Sequence, residues 1–406
     1  MKILFLCHRH PFPPKRGGKI RPFNLIKHLS AQGHEVHVCS LVRSLEERNE
    51  GKGLDAHCAS TFSPLVRNSV QTLRMIARIP TRAPSSMGYF YSSELKRYID
   101  GITKRIEFDL IFVHCSSVAQ YVEGIRGIRK ILDYGDIDSQ KWLEYVNYKP
   151  FPLSTGYWLE GTKLMREESR LVDRFDICTA TTRGEMETLQ SMRGDAICDW
   201  FPNGVDSDFY SPSTSYDKNT ISFVGRFDYF PNQEAVKRFV KEVFPIVRKQ
   251  NNQAKFLIIG AQPSSDVLAL AKVEGVSVTG TVPDVREFVR NSAVNVANLA
   301  IARGTQNKIL EAMSMGVPVV ASAAAAKGVD AIPNEHILVS DDPRTVAAHV
   351  IRLMEDPKLR NELGATGRNR VVSNHSWLAS MKKFDSIVER ALKTPLDINS
   401  TARAAL

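Results

Sequence analysis

The segment 304–311 combines groups that are suited to hold a phosphorylated ligand. Gly304 and Thr305 are predicted to lie at the start of a helix, where free backbone amides and the helix dipole attract anions. Lys308 follows within the helix and adds a positive charge, and Glu311 is spaced to accept hydrogen bonds from a ribose diol. These residues predict a nucleoside diphosphate site. The alternative is that Lys308 and Glu311 are ordinary surface residues of an amphipathic helix.

A second candidate for anion binding lies just before the first predicted helix. Gly17 and Gly18 would let the backbone approach a ligand closely, and the helix start supplies free amides. Nearby basic residues favour an anion there, namely Lys15, Arg16, Lys19 and Arg21. Paired glycines also occur in plain turns, so that interpretation stays open.

Three aspartates follow a predicted strand at 130–133. Asp133, Asp136 and Asp138 suggest a metal site, but no His or Cys lies near them and we expect no metal. They would instead orient an acceptor or cap the turn after the strand. The aromatic-rich stretch 142–158 would stack on a sugar, touch lipid or simply pack.

The elements that position these residues alternate between strand and helix. In the first half, strands are predicted at 2–7, 35–41, 109–114, 130–133 and 177–180, and helices at 19–32 and 156–175. In the second half, strands are predicted at 219–226, 255–260, 276–280, 293–297 and 318–321, and helices at 232–249 and 305–315. This alternation predicts doubly wound parallel sheets, whose ligands collect at the carboxyl ends of the strands.

The domain organisation follows from the breaker-rich segment 201–206, which is the predicted linker. The sequence predicts an α/β protein with two Rossmann-like domains facing across a cleft, over 1–200 and 207–376. A helix over 377–393 should pack back on the N-terminal domain, and the tail from Lys393 should be loose.

Composition and charge limit the compartment and the partners. The 406 residues are 43% hydrophobic and 24% charged, and no apolar run is long enough for a signal peptide or a membrane span. We therefore expect a cytoplasmic protein.

The six cysteines have no metal-ligand spacing and should pack as core residues. The net charge is +10, and residues 1–105 hold 18 Lys/Arg and 7 Asp/Glu. That basic part would face nucleic acid, anionic lipid or a phosphorylated ligand, or be a solvated surface.

The string GTQNKILEAMSMGVPVVA, residues 304–321, resembles the donor-binding signature of the GT-B, family-4-like glycosyltransferases. Supporting matches are Gly17-Gly18, PNGVD at 202–206 and FVGR at 223–226. The segments 133–142 and 229–232 resemble, more narrowly, the sugar transferases associated with exosortase/PEP-CTERM exopolysaccharide clusters.

The resemblance implies a retaining glycosyltransferase that needs no metal or other cofactor. It implies a UDP- or GDP-sugar donor, a lipid-linked or glycan acceptor, peripheral contact with an anionic membrane on its cytoplasmic face, and no nucleic acid. The implied catalytic residues are His114, Arg226 and Lys308. The implied donor-binding residues are Gly17, Gly18, Arg226, Val282, Arg303, Gly304, Thr305, Asn307, Lys308, Ile309 and Glu311. On the acceptor side we expect Arg21, Asp136 and Asp138.

Two residues depart from the family pattern. Arg303 stands where the family has a Glu that touches the donor sugar, and Asn232 stands where it has a Lys. Lys308 would replace that Lys, approaching the diphosphate from the opposite side. Arg303 would either pair with the carboxylate of an acidic sugar or add positive charge beside the diphosphate.

Other functions remain compatible with these residues. One is a GT-B enzyme with different chemistry on the same donors, such as a nucleotide-sugar 2-epimerase. Another is a non-catalytic nucleotide-sugar-binding protein, which the departures at Arg303 and Asn232 would permit. A nicotinamide dehydrogenase is disfavoured because no GxGxxG follows the first strand.

Overall fold

The computed structural model describes residues 1–14, 17–194 and 196–393. Lys15 and Arg16, which favoured an anion in the first loop, lie outside the described residues, as does the tail predicted to be loose. The chain divides into two compact units. Of the described residues, Met1–Pro202 and 381–393 form the N-terminal unit, and Asn203–Ser380 form the C-terminal unit.

The N-terminal unit is built on a seven-stranded sheet in the order β3-β2-β1-β4-β5-β6-β7. Its strands are β1 (Lys2–Cys7), β2 (Glu35–Cys39), β3 (Ser60–Phe62), β4 (Leu110–His114), β5 (Arg129–Gly135), β6 (Ile177–Ala180) and β7 (Cys198–Trp200). All neighbouring strands are parallel. Their continuously apolar segments are buried, as expected for a sheet covered on both faces.

Helices cover this sheet: α1 (Gly17–Ala31), α2 (Leu45–Glu50), α3 (Asn68–Arg78), α4 (Ser85–Tyr89), α5 (Ser93–Arg105), α6 (Ser116–Ala119), α7 (Asp138–Tyr145), α8 (Leu153–Val172) and α9 (Arg183–Met192). Helix α1 already begins at Gly17, so the paired glycines are its first two residues rather than a turn before it.

The C-terminal unit holds a six-stranded parallel sheet in the order β10-β9-β8-β11-β12-β13. Its strands are β8 (Asp217–Val224), β9 (Lys255–Ile259), β10 (Val276–Val278), β11 (Ser292–Ala297), β12 (Val319–Ala321) and β13 (Leu338–Val339). The prediction of two Rossmann-like parallel-sheet domains is therefore confirmed.

The helices of the C-terminal unit are α10 (Phe230–Arg238), α11 (Phe244–Gln250), α12 (Ser265–Ala269), α13 (Arg286–Val289), α14 (Asn307–Ser314), α15 (Ala323–Ala326), α16 (Pro343–Glu355) and α17 (Pro357–Asn374). The single helix predicted at 232–249 is interrupted by a π turn at Phe239–Val243. Pro245 explains this break, because proline has no N–H to donate to the carbonyl of Lys241.

Helix α18 (Trp377–Lys393) ends the described chain. Within the N-terminal unit, the Phe384 ring lies 5.5 Å from the Phe112 ring and 5.4 Å from the Phe201 ring, measured between centroids. Asp385 accepts a 2.7 Å hydrogen bond from His28 Nε2. Aromatic packing, the His28–Asp385 hydrogen bond and the Arg390–Asp199 ion pair thus fasten this helix to α1 and the sheet. None of the helices in the described ranges is both long and apolar enough to cross a bilayer.

Candidate functional site

Two glycine turns meet at the carboxyl edge of the C-terminal sheet. Gly225 follows β8, and Gly260 follows β9 with φ of +142°. A Cβ on Gly260 would lie 1.8 Å from the carbonyl oxygen of Gly225, so no other residue fits there. This close approach fixes the backbone from which Arg226 projects.

Asn232 links Arg226 to Lys308. Its side chain is 5% exposed, its Nδ2 donates to the Arg226 carbonyl oxygen at 2.7 Å, and its Oδ1 accepts from Lys308 Nζ at 2.5 Å. A Cβ on Gly225 would lie 2.7 Å from Asn232 Nδ2, so the glycine also makes room for this link. The Lys308 ammonium therefore lies beside residue 232, and its approach to the diphosphate from the opposite side stays a prediction.

Lys308, Glu311 and Tyr210 form a partly buried polar group. Burial lowers the pKa of Lys308 to about 7, although Glu311 opposes the shift. Burial also raises the pKa of Glu311 to about 7, opposed by a hydrogen bond from Tyr210 and by Lys308. The Lys308 ammonium lies 4.6 Å from the centroid of the Phe223 ring. The two charges compensate each other only in part, and shifted pKa values of this kind cluster at functional sites.

The loop before α14 departs from its prediction. The helix begins at Asn307, because Gly304 adopts φ of +58° and Gln306 has non-helical dihedral angles. Ile309 is fully buried in the core, and its amide donates to the Gln306 carbonyl at 2.9 Å. Ile309 is thus a packing residue rather than a ligand contact. Thr305 Oγ1 is buried and makes no hydrogen bond within the described residues.

The remaining predicted donor residues are spread around this edge. Arg226 is held by the Asp228 carboxylate at 3.1 and 2.9 Å, and by Gln262 Oε1 at 2.5 Å. Asn307 Oδ1 accepts from Asn203 at 3.3 Å. Val282 is half-buried against the core, and the Arg303 carbonyl accepts from Gln306 at 2.9 Å. A diphosphate would have to compete with Asp228 for Arg226.

The N-terminal unit carries a second charged cluster, centred on Asp133. This carboxylate is fully buried, and its register partner in the sheet is His114. It accepts hydrogen bonds from Arg21 at 2.8 and 2.9 Å, from His114 Nδ1 at 2.8 Å and from Thr179 at 2.9 Å. Burial alone would raise the pKa of Asp133, but Arg21 and His114 outweigh it and the pKa lies well below its usual range.

This cluster fixes the orientation of His114. Because the ionised Asp133 accepts a hydrogen bond from Nδ1, the ring is held in one orientation, with Nε2 on its opposite side. Near it, the His8 ring centroid lies 5.8 Å away, and a Cβ on Gly18 would lie 3.8 Å from the His8 ring. The start of α1 and the strand-end histidines therefore gather at one edge of the N-terminal sheet.

The residues expected on the acceptor side are near enough to influence one another, since Asp138 and Arg21 both act on the pKa of Asp136, but each has its own hydrogen-bond partners. Arg21 is 2% exposed and is committed to Asp133 and to the Phe201 carbonyl at 3.0 Å, so it is a positioning group. Asp136 is exposed and accepts from Thr181 at 3.1 Å. Asp138 begins α7 and pairs with Lys141 at 2.5 Å. The three aspartates that suggested a metal site therefore have separate partners.

Sequence reasoning missed the roles of Asn232, Tyr210 and Asp133. A signal existed for Asp133, because it and His114 end adjacent parallel strands and can be aligned there. No local pattern connects Tyr210 to Glu311 or Asn232 to Lys308, because these pairs form only through the fold.

Comparison with known proteins agrees with this geometry. A family model for glycosyl transferases group 1 matches residues 218–356, which include the segment 304–311. A GDP-mannose-dependent monoacylated alpha-(1-6)-phosphatidylinositol monomannoside mannosyltransferase of Corynebacterium glutamicum is 26% identical over 215 residues, covering 46% of this chain and 55% of the relative. The capsular polysaccharide biosynthesis glycosyltransferase CapM of Staphylococcus aureus is 26% identical over 187 residues, covering 44% and 47%. The matches span about half the length of these relatives.

Solved structures extend the likeness to nearly the whole chain. The Anabaena protein HepE, determined in complex with UDP, superposes with a TM-score of 0.70 at 13% sequence identity. The match covers 96% of this chain and 100% of that one, and at this identity it establishes the fold. The chain therefore has the GT-B fold, and its residues 218–356 match the family model for glycosyl transferases group 1.

Proposed function

We propose that the protein is a glycosyltransferase that moves a sugar from a nucleoside-diphosphate-sugar to an acceptor in exopolysaccharide or other cell-surface glycan synthesis. The observation that carries the proposal is the Lys308–Glu311 pair, which is partly buried, incompletely compensated and located in the segment that matches the group 1 family model. The resemblance to the exosortase/PEP-CTERM-associated sugar transferases and the CapM relative support the same class of pathway.

The donor would be bound by the C-terminal unit. A diphosphate beside Lys308 adds negative charge and favours the protonated ammonium, while a ribose diol donates hydrogen bonds to Glu311. Arg226 would exchange Asp228 for the diphosphate. Thr305 Oγ1 has an unfilled hydrogen bond in the same segment, and a donor oxygen or hydroxyl would fill it.

In the reaction, the bond between the anomeric carbon and the diphosphate oxygen breaks, and the acceptor oxygen bonds to that carbon. The acceptor proton leaves with the diphosphate, and we propose that the anomeric configuration is retained. Negative charge builds on the departing diphosphate, so Lys308 and Arg226 would stabilise the transition state electrostatically and without a metal ion.

We assign acceptor binding to the N-terminal unit. His114, held by Asp133, would contribute to transfer through Nε2, with Gly17 and Gly18 at the start of α1 also contributing. Asp136 and Asp138 remain acceptor candidates, while Arg21 would act through Asp133. The Corynebacterium relative is named for a phosphatidylinositol mannoside, which favours a lipid-linked acceptor here.

Arg303 would add positive charge beside the diphosphate, or else select an acidic donor sugar. Turnover of UDP-glucuronate and UDP-glucose by Arg303→Ala distinguishes the two. An equal loss with both donors supports the general charge. A loss confined to UDP-glucuronate supports carboxylate selection.

The proposed activity is tested in two steps. Nucleotide-sugars are first screened by thermal shift, because a ligand at about 100 times its dissociation constant stabilises a protein by about 2.7 kcal/mol. The stabilising donor is then incubated with and without a membrane extract that supplies acceptors, and release of nucleoside diphosphate is measured. Release only with acceptor supports transfer. A rearranged sugar formed without acceptor would support a 2-epimerase, and binding without any turnover would support a non-catalytic binding protein.

A further inference from the structure

Tyr210 ends a short segment, residues 206–210, that precedes β8 in the C-terminal unit. Its ring packs against the core of that unit, and its hydroxyl donates a hydrogen bond to the Glu311 carboxylate on α14. Burial raises the pKa of Tyr210 well above its usual range, and the negative charge of Glu311 adds to this shift. The phenol therefore keeps its proton near neutral pH and stays a hydrogen-bond donor for Glu311.

Hydrogen bonds within the segment fix its backbone. The Asp206 carboxylate accepts from the amides of Asp208 at 3.2 Å and Phe209 at 2.9 Å. The Asp206 carbonyl oxygen accepts from the Tyr210 amide at 2.8 Å. These bonds close an aspartate-capped turn, which sets the direction in which the Tyr210 ring leaves the backbone.

Two helices hold this turn in place. The Tyr210 carbonyl oxygen accepts a hydrogen bond from Ser314 Oγ of α14 at 2.9 Å. The Arg286 guanidinium of α13 lies 3.6 Å from the centroid of the Phe209 ring and donates to the Phe209 carbonyl oxygen at 2.9 Å. Because Glu311 and Ser314 are neighbours on the surface of one helix, Tyr210 is joined to α14 through both its side chain and its backbone.

The hydrogen bond from Tyr210 changes what Glu311 can do. A carboxylate turns easily about its last bond, so a donor on one oxygen restrains its plane and leaves the other oxygen for a ligand. Burial raises the pKa of Glu311, and the bond from Tyr210 opposes that shift. Tyr210 thus favours a carboxylate that is both ionised and oriented, which is the form that best accepts a hydrogen bond from a sugar hydroxyl.

We propose that Tyr210 is a positioning residue for ribose recognition, which it serves by holding Glu311. This role rests on the proposed function, in which Glu311 accepts hydrogen bonds from the ribose diol of a nucleoside diphosphate. Tyr210 would act through the carboxylate rather than by contact with the nucleotide. It would therefore set how strongly the site prefers a ribose to a deoxyribose, while Lys308 and Arg226 hold the diphosphate.

The test uses two pairs of ligands, UDP with 2′-deoxy-UDP and GDP with 2′-deoxy-GDP, and follows the pair that binds more tightly. Within a pair the diphosphate and the base are the same, so the ratio of the two dissociation constants isolates the ribose hydroxyl. We expect wild type to prefer the ribose form roughly tenfold, and Tyr210→Phe to reduce this preference to about threefold or less. Isothermal titration measures all of these constants.

Two further variants serve as controls. Tyr216→Phe removes the hydroxyl of another tyrosine that packs against the same core, and it should keep the wild-type preference. In Glu311→Ala the carboxylate that Tyr210 holds is absent, so adding Tyr210→Phe should change the remaining preference by less than about twofold. A large additional loss in that double variant would show that Tyr210 does not act through Glu311.

The pH dependence of the preference distinguishes positioning from packing. In wild type the preference should be present above the pKa of Glu311 and fall as the pH drops through it, because a protonated carboxyl is a weaker acceptor. In Tyr210→Phe this fall should occur at higher pH, because burial is then opposed by Lys308 alone. An unchanged midpoint would contradict the role of Tyr210, since a packing defect weakens both ligands without moving it.

The outcomes separate this proposal from the proposed function. Wild-type protein that binds neither pair, or binds both members of a pair equally, overturns the ribose contact of Glu311 and the role of Tyr210 alike. A wild type that prefers the ribose form, with an equal or greater preference in Tyr210→Phe, leaves the proposed function standing and overturns the role of Tyr210. Equal losses in Tyr210→Phe and Tyr216→Phe also overturn it.

Discussion

Both units bury charged side chains near the carboxyl edge of a parallel sheet, but they do so in opposite ways. In the N-terminal unit, Asp133 receives hydrogen bonds from Arg21, His114 and Thr179, and its pKa falls well below the usual range. In the C-terminal unit, burial outweighs the mutual attraction of Lys308 and Glu311, and both pKa values move to about 7. The charge of Asp133 is fully offset by its neighbours, whereas the charges of Lys308 and Glu311 offset each other only in part.

The difference separates a positioning network from a binding site. A buried charge with all its partners costs little further free energy, so Asp133 can hold His114 in one orientation permanently. A buried charge without enough partners weakens the folded state until a ligand supplies them. We therefore expect mutations in the Asp133 network to lower mainly the stability of the fold. Mutations of Lys308 and Glu311 should lower mainly the binding and turnover of the donor.

The largest effect should follow from removing the Asp133 carboxylate. Asp133→Ala would leave Arg21 buried without its counter-charge, and we expect a loss of about 3–5 kcal/mol in the free energy of unfolding. Urea denaturation followed by circular dichroism measures it. Asp100→Ala removes an exposed partner of Lys96 and should cost less than about 1 kcal/mol. Similar losses in both variants would contradict the contrast between the two networks.

Substitution of Lys308 should have the opposite result, with little change in stability and a large loss of turnover. Lys308→Met removes a charge that burial disfavours, so the free energy of unfolding should stay within about 1 kcal/mol of wild type. Turnover should fall at least tenfold, as it should for Glu311→Ala, because diphosphate and ribose lose their partners. Lys272→Ala and Glu287→Ala change exposed charges of the same unit and serve as controls. Near-normal turnover in Lys308→Met would count against the donor site.

A charge exchange sharpens the assignment of Asn232. Since Lys308 Nζ lies 2.5 Å from Asn232 Oδ1, a lysine at 232 can bring its ammonium to the same neighbourhood. Asn232→Lys/Lys308→Met should therefore bind UDP roughly threefold or more tightly than Lys308→Met alone. Isothermal titration measures both dissociation constants. No recovery in the double variant would show that the position of the ammonium on α14 itself is required.

The smallest effect concerns His114. Asp133→Asn keeps the shape but removes the charge beside Arg21 and His114, so the variant should also be destabilised; in the fraction that stays folded, turnover should fall several-fold while the affinity for UDP stays unchanged. The variant is compared with Thr179→Val, which removes a neutral hydrogen bond to the same carboxylate. A loss of UDP affinity in Asp133→Asn would contradict the assignment of Asp133 to positioning and of Lys308 and Glu311 to donor binding.

Much of the fold can be predicted from the sequence, because a buried parallel strand reads as a continuous apolar run. Such runs predict most of the principal strands. Short strands such as Ser60–Phe62 and Leu338–Val339 carry too few residues to show a pattern. The start of α14 was misplaced because the positive φ of Gly304 depends on its packing against Gly328, where a Cβ would lie 2.0 Å from the Gly304 carbonyl.

The candidate site can be predicted only in part, because the sequence shows local patterns but not contacts between distant residues. Lys308 and Glu311 stand in one local string and were found together. Asn232 and Tyr210 are distant in the chain and reach them only through the fold. The sequence shows the charge of Arg21, which suggests a role in acceptor binding. It does not show that Arg21 is buried against Asp133.

The most direct test of the central claim is proton uptake when UDP binds. At pH 8, Lys308 with a pKa near 7 is mostly neutral, and a bound diphosphate should restore its proton. Isothermal titration in buffers of different ionisation enthalpy should then give an uptake of about nine-tenths of a proton for wild type and none for Lys308→Met. UDP binding with the same proton uptake in both proteins would contradict the assignment of Lys308 to the diphosphate.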